Sequence, residues 1–312
     1  MATGPRIVAV VGPTGTGKSE LAQQLAERLG GVVLSADALQ VYRELQIGTA
    51  KVPPEARRVA HFGLDLVSVT QAYSAALYQD YARGVIDRCR EQGQAVVVCG
   101  GTGLYVRAAL DDFEFPAGQQ EDNALRAQFE TLAAEQGPEA LHARLQERDP
   151  AAAKLIHPHN VRRVVRALEL SEQGQSYAES SAGFKEYKAH YPDVCFVGLT
   201  RERSELYSVL DARVDAMLEA GLLGEVRDLS ERGLTESLTA RQAIGYKELL
   251  AYLQGASRYE EAVETIKRNT RRYAKRQLTF FGADPRIRWI EVGPDAVLTT
   301  TLADDAWDIL EK

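Results

Sequence analysis

The stretch Gly12-Pro-Thr-Gly-Thr-Gly-Lys-Ser19 constrains this chain more than any other. It follows the apolar run Arg6-Ile-Val-Ala-Val-Val11 and opens a segment, Lys18 to Leu29, with apolar or small residues at helical spacing. A strand, a glycine turn and a helix in that order form half of a βαβ unit, which commits the chain to a parallel sheet with crossover helices. The glycines let backbone N–H groups converge on anionic oxygens, Lys18 adds a point charge, and the helix N-terminus adds its dipole. In the GxxxxGK[ST] pattern Ser19 would face a Mg2+ ion. The pattern specifies a phosphate chain and leaves its bearer open.

Further strands are expected at Gly31 to Ser35, Ala95 to Cys99, Val194 to Leu199 and Arg288 to Val292. Helices are expected from a Ser74 cap to about Gln92, from Glu202 to Arg232 and from Tyr259 to Phe280. Between 111 and 190 the pattern changes to charged helical segments punctuated by Gly137-Pro138, Asp149-Pro150 and Pro158, with no buried strand. The expected fold class is therefore α/β: a parallel sheet core flanked by helices, residues 1–110 and 191–312, with an all-helical insertion, 111–190. At 312 residues and 45% hydrophobic content the chain can bury a sizeable core. Its net charge of −7 excludes a global basic field, so a nucleic-acid partner would be held by local patches. Cys89, Cys99 and Cys195 lack CxxC spacing, which argues against a disulfide framework or a cysteine zinc site and fits a reducing cytoplasm. The apolar runs are too short to span a bilayer, so a cytoplasmic protein without a membrane partner is expected.

A P-loop ATPase or GTPase places a metal-binding Asp at the end of a later apolar strand. Here Ala95-Val-Val-Val-Cys99 runs into Gly100-Gly-Thr-Gly-Leu-Tyr105, so a hydroxyl, Thr102, stands where that acid would be. Asp37 follows the second expected strand, and ligands of open parallel sheets collect at the carboxyl ends of strands, so it can face the same pocket as Lys18. Three roles are open to it: turn cap, metal ligand replacing the missing acid, or general base. Gln40 both donates and accepts hydrogen bonds, which leaves two roles open: pairing with the edge of an adenine, or facing solvent. His157-Pro-His159 is broken by proline and reads as a helix-entry loop.

The segments GPTGTGKS, SADALQVYRELQIGTAK, GGTGLYVRA, HPHNVRRVVRALE, ARVDAMLEAGLLGEV, ARQAIGYKEL and TRRYAKRQLTFF occur in the order found in bacterial tRNA dimethylallyltransferases. Over about Gly12 to Phe281 the chain resembles that family. The resemblance implies a P-loop NTPase-like core with an inserted helical domain that grips the anticodon stem-loop of tRNA. It implies transfer of the dimethylallyl group of dimethylallyl diphosphate to the exocyclic N6 amine of the adenosine immediately 3′ of the anticodon, with Mg2+ as cofactor. Gly12, Pro13, Thr14, Gly15, Thr16, Gly17, Lys18, Ser19 and Arg213 would hold the diphosphate, Ser19 reaching the metal. Asp37 resembles the family's general base, with Lys18, Thr102 and Arg213 completing the catalytic set. Asp37, Ala38, Leu39, Gln40 and Thr102 would meet the target adenosine. Arg126, Arg162, Arg163 and Arg166 match family positions that touch tRNA, as do Gln242, Ala243, Ile244, Gly245, Tyr246 and Lys247. The expected state is a monomer.

Such a reaction needs a base, because the lone pair of an aromatic amine is delocalised into its ring; a positioned carboxylate typically contributes about 10²–10⁴-fold. Near the C-terminus Lys267, Arg268, Arg271, Arg272, Lys275 and Arg276 form two adjacent i, i+4 stripes around Tyr273, either a solvated helix face or an RNA surface. The chain departs from the family at Gly15-Thr16, where Ala-Ser is frequent, and at Thr279-Phe-Phe-Gly282, where relatives usually carry Thr-Trp-Phe-Arg. Two other readings compete: a P-loop nucleoside or nucleotide kinase using ATP, with Asp37 as its base, and a non-catalytic RNA-binding module on a degenerate loop. The intact Lys18 and Ser19 argue against the second.

Overall fold

The computed structural model describes residues 7–115, 124–182, 184, 186–192, 194–237, 239–293 and 300–311. The chain divides into two compact units, Met1–Asp111 with Ala189–Lys312, and Asp112–Lys188. In the first unit β1 (Ile7–Val11) leads through the phosphate loop into α1 (Lys18–Leu29), β2 (Val32–Ser35), β3 (His61–Phe62), α2 (Ala75–Glu91), β4 (Val96–Gly100) and α3 (Gly103–Leu110). The second unit holds α4 (Ala124–Gln136), α5 (Pro138–Arg148), α6 (Pro150–Leu155), α7 (Val161–Glu172) and α8 (Tyr177–Ala182). The chain then returns to the first unit with β5 (Val194–Thr200), α9 (Arg203–Glu219), α10 (Leu222–Glu231), α11 (Tyr246–Leu253), α12 (Tyr259–Gly282), β6 (Ile287–Glu291) and α13 (Thr300–Leu310).

All strand pairs are parallel, in the order β3-β2-β4-β1-β5-β6. β1 and β4 are buried along their whole length because helices cover both faces, which is why they read as unbroken apolar runs. On one face Val8, Val10, Val97, Val197 and Leu199 pack with Leu21 and Leu25 of α1 and Leu302 and Ala306 of α13. α2 and α3 pack on β4, where the Tyr78 and Tyr105 rings stack at 4.1 Å and the Tyr78 hydroxyl donates to the Ser35 carbonyl at 2.9 Å. Ser74 caps α2 by accepting from the Leu77 N–H. The edge strand β3 went unforeseen because two residues carry no periodicity. No described helix is long and apolar enough to cross a membrane.

The helical unit is built on its own core of Phe129, Leu141, Leu145, Ala152, Ile156, Val164, Val165 and Leu168. Pro138 and Pro150 stand in the first turns of α5 and α6, where a missing N–H costs nothing, and Asp149 caps α6 through the Ala152 N–H at 2.9 Å. Arg162 and Arg163 of α7 are exposed. Arg126, expected to touch RNA, is only 5% exposed, and its guanidinium grips Glu169 of α7 through two hydrogen bonds of 2.9 and 3.2 Å. Arg166 also turns toward Glu169, at 3.5 Å. These two arginines compensate a buried carboxylate, so packing claims them first. Arg126→Ala leaves Glu169 buried beside a lost partner, and chemical denaturation of the full chain is expected to show a loss of about 3–5 kcal/mol, against under about 0.5 kcal/mol for Arg163→Ala.

Candidate active site

Strand register sets the site. Val11 is level with Gly100 of β4 and Gly198 of β5, and Ser35 of β2 is level with Cys99. The segments after β1, β2 and β4 therefore open on one edge of the sheet, where parallel sheets bind ligands. The phosphate loop leaves β1 at Gly12, where φ is 134° and a Cβ would stand 2.3 Å from the Leu199 carbonyl oxygen, so only glycine fits. Within the loop the Thr16 hydroxyl and the Lys18 ammonium both donate to the Pro13 carbonyl, at 2.9 and 2.7 Å.

Burial lowers the Lys18 pKa to about 8; the Cys99 and Asp37 charges oppose this and the Arg213 guanidinium adds to it. Arg213, from α9, is itself shifted down by burial, with Asp37 opposing. Ser19 is exposed at the loop's end and hydrogen-bonds the Cys99 thiol, whose pKa burial pushes up to about 11. Lys18, Arg213 and Asp37 thus lie within electrostatic reach of one another, although they come from α1, α9 and the segment after β2.

Asp37 is held by an Asx turn in which Oδ1 accepts from the Leu39 N–H at 2.9 Å. Its Oδ2 receives no hydrogen bond among the described residues, so turn capping leaves one oxygen available for chemistry. The Thr102 hydroxyl accepts from the Ala38 N–H at 3.0 Å and the Thr102 N–H donates to the Ala36 carbonyl at 3.2 Å, pinning the Asp37 segment to the turn after β4. That turn carries no acid, and the described residues contain no group of three or more His, Cys, Asp or Glu side chains able to hold a metal.

Two residues of α12 reach the site without having been assigned to it. Gln277, 5% exposed, accepts from the Thr14 N–H at 3.0 Å and donates to the Gly101 carbonyl at 2.9 Å. Tyr273 faces Thr102 and Gln277; burial raises its hydroxyl to about 12, with Asp37 adding to the rise. A signal existed, since Gln277 lies on the buried stripe Ala262, Ile266, Ala274 and Phe281, where a polar group must find partners.

Several of the other expected contact residues have partners within the protein. The Gln40 amide is engaged inside the protein, accepting from the Ser35 hydroxyl at 2.8 Å and donating to the Thr49 carbonyl at 3.1 Å, which orders the segment after Asp37. Of the two roles open to Tyr246, stacking and packing, the free protein shows packing: it is fully buried and donates to Glu225, which also accepts from the Ile47 N–H at 2.9 Å. Ala243 is buried and the Gly245 N–H donates to Glu248 at 2.8 Å, while Gln242 and Lys247 are exposed and Ile244 is half-buried. The basic stripe of α12 divides: Arg271 pairs with Asp211 at 2.5 Å and Lys267 with Asp215 at 2.7 Å, both on α9, whereas Arg268, Arg272, Lys275 and Arg276 are exposed.

A family model described as IPP transferase matches residues 40–284. A tRNA dimethylallyltransferase of Carboxydothermus hydrogenoformans is 42% identical over 94% of each chain, and one of Thermobifida fusca is 46% identical over 93% of this chain and 92% of its own. The crystal structure of a tRNA isopentenylpyrophosphate transferase from Bacillus halodurans aligns with TM-score 0.70 at 38% identity, covering 98% of this chain and 96% of that one. A eukaryotic dimethylallyltransferase acting on tRNA aligns with TM-score 0.76 at 27% identity, over 96% of this chain and 77% of that chain.

Lys18 is protonated below about pH 8 and neutral above it, so anion binding to the free protein should share that limit. Isothermal titration with inorganic diphosphate is expected to show affinity falling by up to about tenfold per pH unit beyond that point. Lys18→Arg should remove the fall, and Lys18→Ala should weaken binding by roughly 10–100-fold at pH 7.

Proposed function

Because the chain belongs to the IPP transferase family, that of the tRNA dimethylallyltransferases, we propose that its reaction runs between Asp37 and the Lys18–Arg213 end of one pocket. The enzyme transfers a prenyl group to tRNA. On our reading the donor is dimethylallyl diphosphate and the acceptor is the N6 amine of the adenosine 3′-adjacent to the anticodon. The N6–C1 bond forms as the C1–O bond breaks, the bonding pair leaves with diphosphate, and the amine's proton passes to Asp37 Oδ2.

The observation that carries this reading is the turn after β4, which holds the Asp37 segment through the Thr102 hydroxyl and carries no acid, within electrostatic reach of the half-buried cations Lys18 and Arg213. A leaving diphosphate carries two to three negative charges, and cations already stripped of water stabilise that charge without reorganising. Lys18, Arg213 and the loop amides serve this end, while Asp37 serves the other. Thr102 holds the Asp37 segment through the Ala38 N–H, and on our reading its side chain meets the base. Ser19 would hold Mg2+ together with diphosphate oxygens, an arrangement the exposed hydroxyl fits; the ion would supply Lewis-acid neutralisation of the leaving group.

The base is stacked in its loop, and extruding it costs a few kcal/mol that phosphate contacts must offset. Arg162 and Arg163 of the helical unit, and Arg268, Arg272, Lys275 and Arg276 of α12 with Gln242 and Lys247, are exposed and suit that task. Their local positive charge on an acidic protein implies binding that weakens steeply with salt.

Weighing unmodified tRNA by mass spectrometry after incubation with dimethylallyl diphosphate is expected to show a gain of one prenyl group per molecule. Phosphate transfer from ATP in place of that gain would support a kinase. Asp37→Ala is expected to lower kcat by about 10²–10⁴-fold with tRNA affinity nearly unchanged, and wild-type turnover in that variant would remove Asp37 from the role of base.

A further inference from the structure

We propose that Gln277 is a positioning residue of this reaction: its carboxamide sets the separation between the phosphate loop and the Thr102 turn, so that leaving group and acceptor meet in one geometry. The inference rests on the prenyl-transfer reading. Gln277 accepts from the Thr14 N–H at 3.0 Å with Oε1 and donates to the Gly101 carbonyl at 2.9 Å with Nε2. The two atoms belong to one planar group of fixed dimensions. Neither turn can slide along the other without breaking a buried hydrogen bond, which is costly when the group left behind has no access to water.

Gly101 is matched to this bridge. A Cβ at that position would stand 2.1 Å from Gln277 Nε2, and the nearest atom outside Gln277 is the Gly12 carbonyl oxygen at 3.6 Å. The backbone there does not need the left-handed region, so it is the glutamine that excludes a side chain at residue 101. The bridge also occupies the Thr14 N–H, one of the loop amides otherwise available to an anion, and uses it to hold the loop's shape. One turn earlier on α12, Tyr273 faces both Gln277 and Thr102. Thr102 in turn holds the Asp37 segment through the Ala38 N–H. A continuous set of contacts thus runs from the diphosphate end to the base end through α12, although Gln277 acts through Thr14 and Gly101 and touches neither reactant. Near-attack geometry is sensitive to such placement, with a shift of about 1 Å costing on the order of 10²-fold.

The test compares Gln277→Ala, Gln277→Glu, Gly101→Ala and the double variant Gly101→Ala/Gln277→Ala in full-length protein, by steady-state kinetics with dimethylallyl diphosphate and unmodified tRNA and by tRNA binding. Gln277→Ala is expected to lower kcat and raise KM for dimethylallyl diphosphate, with kcat/KM down by roughly 10–100-fold and tRNA affinity within about twofold of wild type. Gly101→Ala should reproduce that defect by displacing the amide, and the double variant should be no worse than Gln277→Ala alone. Gln277→Glu keeps the acceptor for Thr14 but sets a carboxylate against the Gly101 carbonyl, so it should lie between wild type and Gln277→Ala. Wild-type kinetics in Gln277→Ala, defects that multiply in the double variant, or a loss confined to tRNA affinity would each overturn the role of Gln277 while leaving prenyl transfer in place. A wild-type protein that leaves tRNA unprenylated would overturn both.

Discussion

Two positive charges held in a poorly solvated pocket set the terms for the rest of this molecule. Lys18 and Arg213 are both shifted toward their neutral forms by burial, and among the described residues neither forms a salt bridge. Withdrawing cations from water is costly unless something compensates. Here the compensation is partial: a carbonyl from Pro13 for Lys18, and the field of Asp37 for both. An anion bound there would complete it. Such a pocket must be rigid, because a mobile one would let the cations return to solvent. The fully buried β1 and β4, level with β5 at their carboxyl ends, supply that rigidity.

α12 is the element that joins the pocket to the outside. One side of it packs on α9 through Leu206, Leu210 and Ala274, reinforced by the Arg271–Asp211 and Lys267–Asp215 pairs. α9 also carries Arg213 and lies against Gly15, whose Cβ position would be 3.0 Å from Leu210. A second side sends Tyr273 and Gln277 to the phosphate loop and the Thr102 turn. A third leaves Arg268, Arg272 and Arg276 in solvent, at the i, i+4 spacing that aligns charge along a helix. Three jobs on one helix explain why its basic residues look alike in sequence and behave differently in space.

The parallel sheet was legible because its buried strands are unbroken apolar runs and its first turn is a glycine loop with a lysine. The Ser74 cap was legible for a similarly local reason: a hydroxyl before a helical pattern meets the third N–H of that helix. Arg126, Gln40 and Tyr246, each among the expected contacts, have partners within the protein: Glu169, the Ser35 and Thr49 pair, and Glu225. Each is a polar or aromatic side chain in a segment with a strong family signature, and such a signature does not distinguish a contact made outward from one made inward. Gln277 shows the converse, a polar residue on a buried stripe whose partners lie 263 and 176 residues away in the chain.

By itself the amino-acid sequence determined the strand–loop–helix opening, the parallel architecture, the glycine loop with its lysine, and the want of an acid at the end of β4. These follow from local pattern: apolar periodicity, glycine at turns, and residue types at fixed short spacing. Tertiary structure alone decided that Lys18, Asp37 and Arg213 come within electrostatic reach of one another, which arginines are spent on buried carboxylates, and that a glutamine far along the chain bridges two turns. Those outcomes depend on burial and on distances between residues remote in sequence, and both arise only once the sheet has set its strand ends level and the helices have packed upon it.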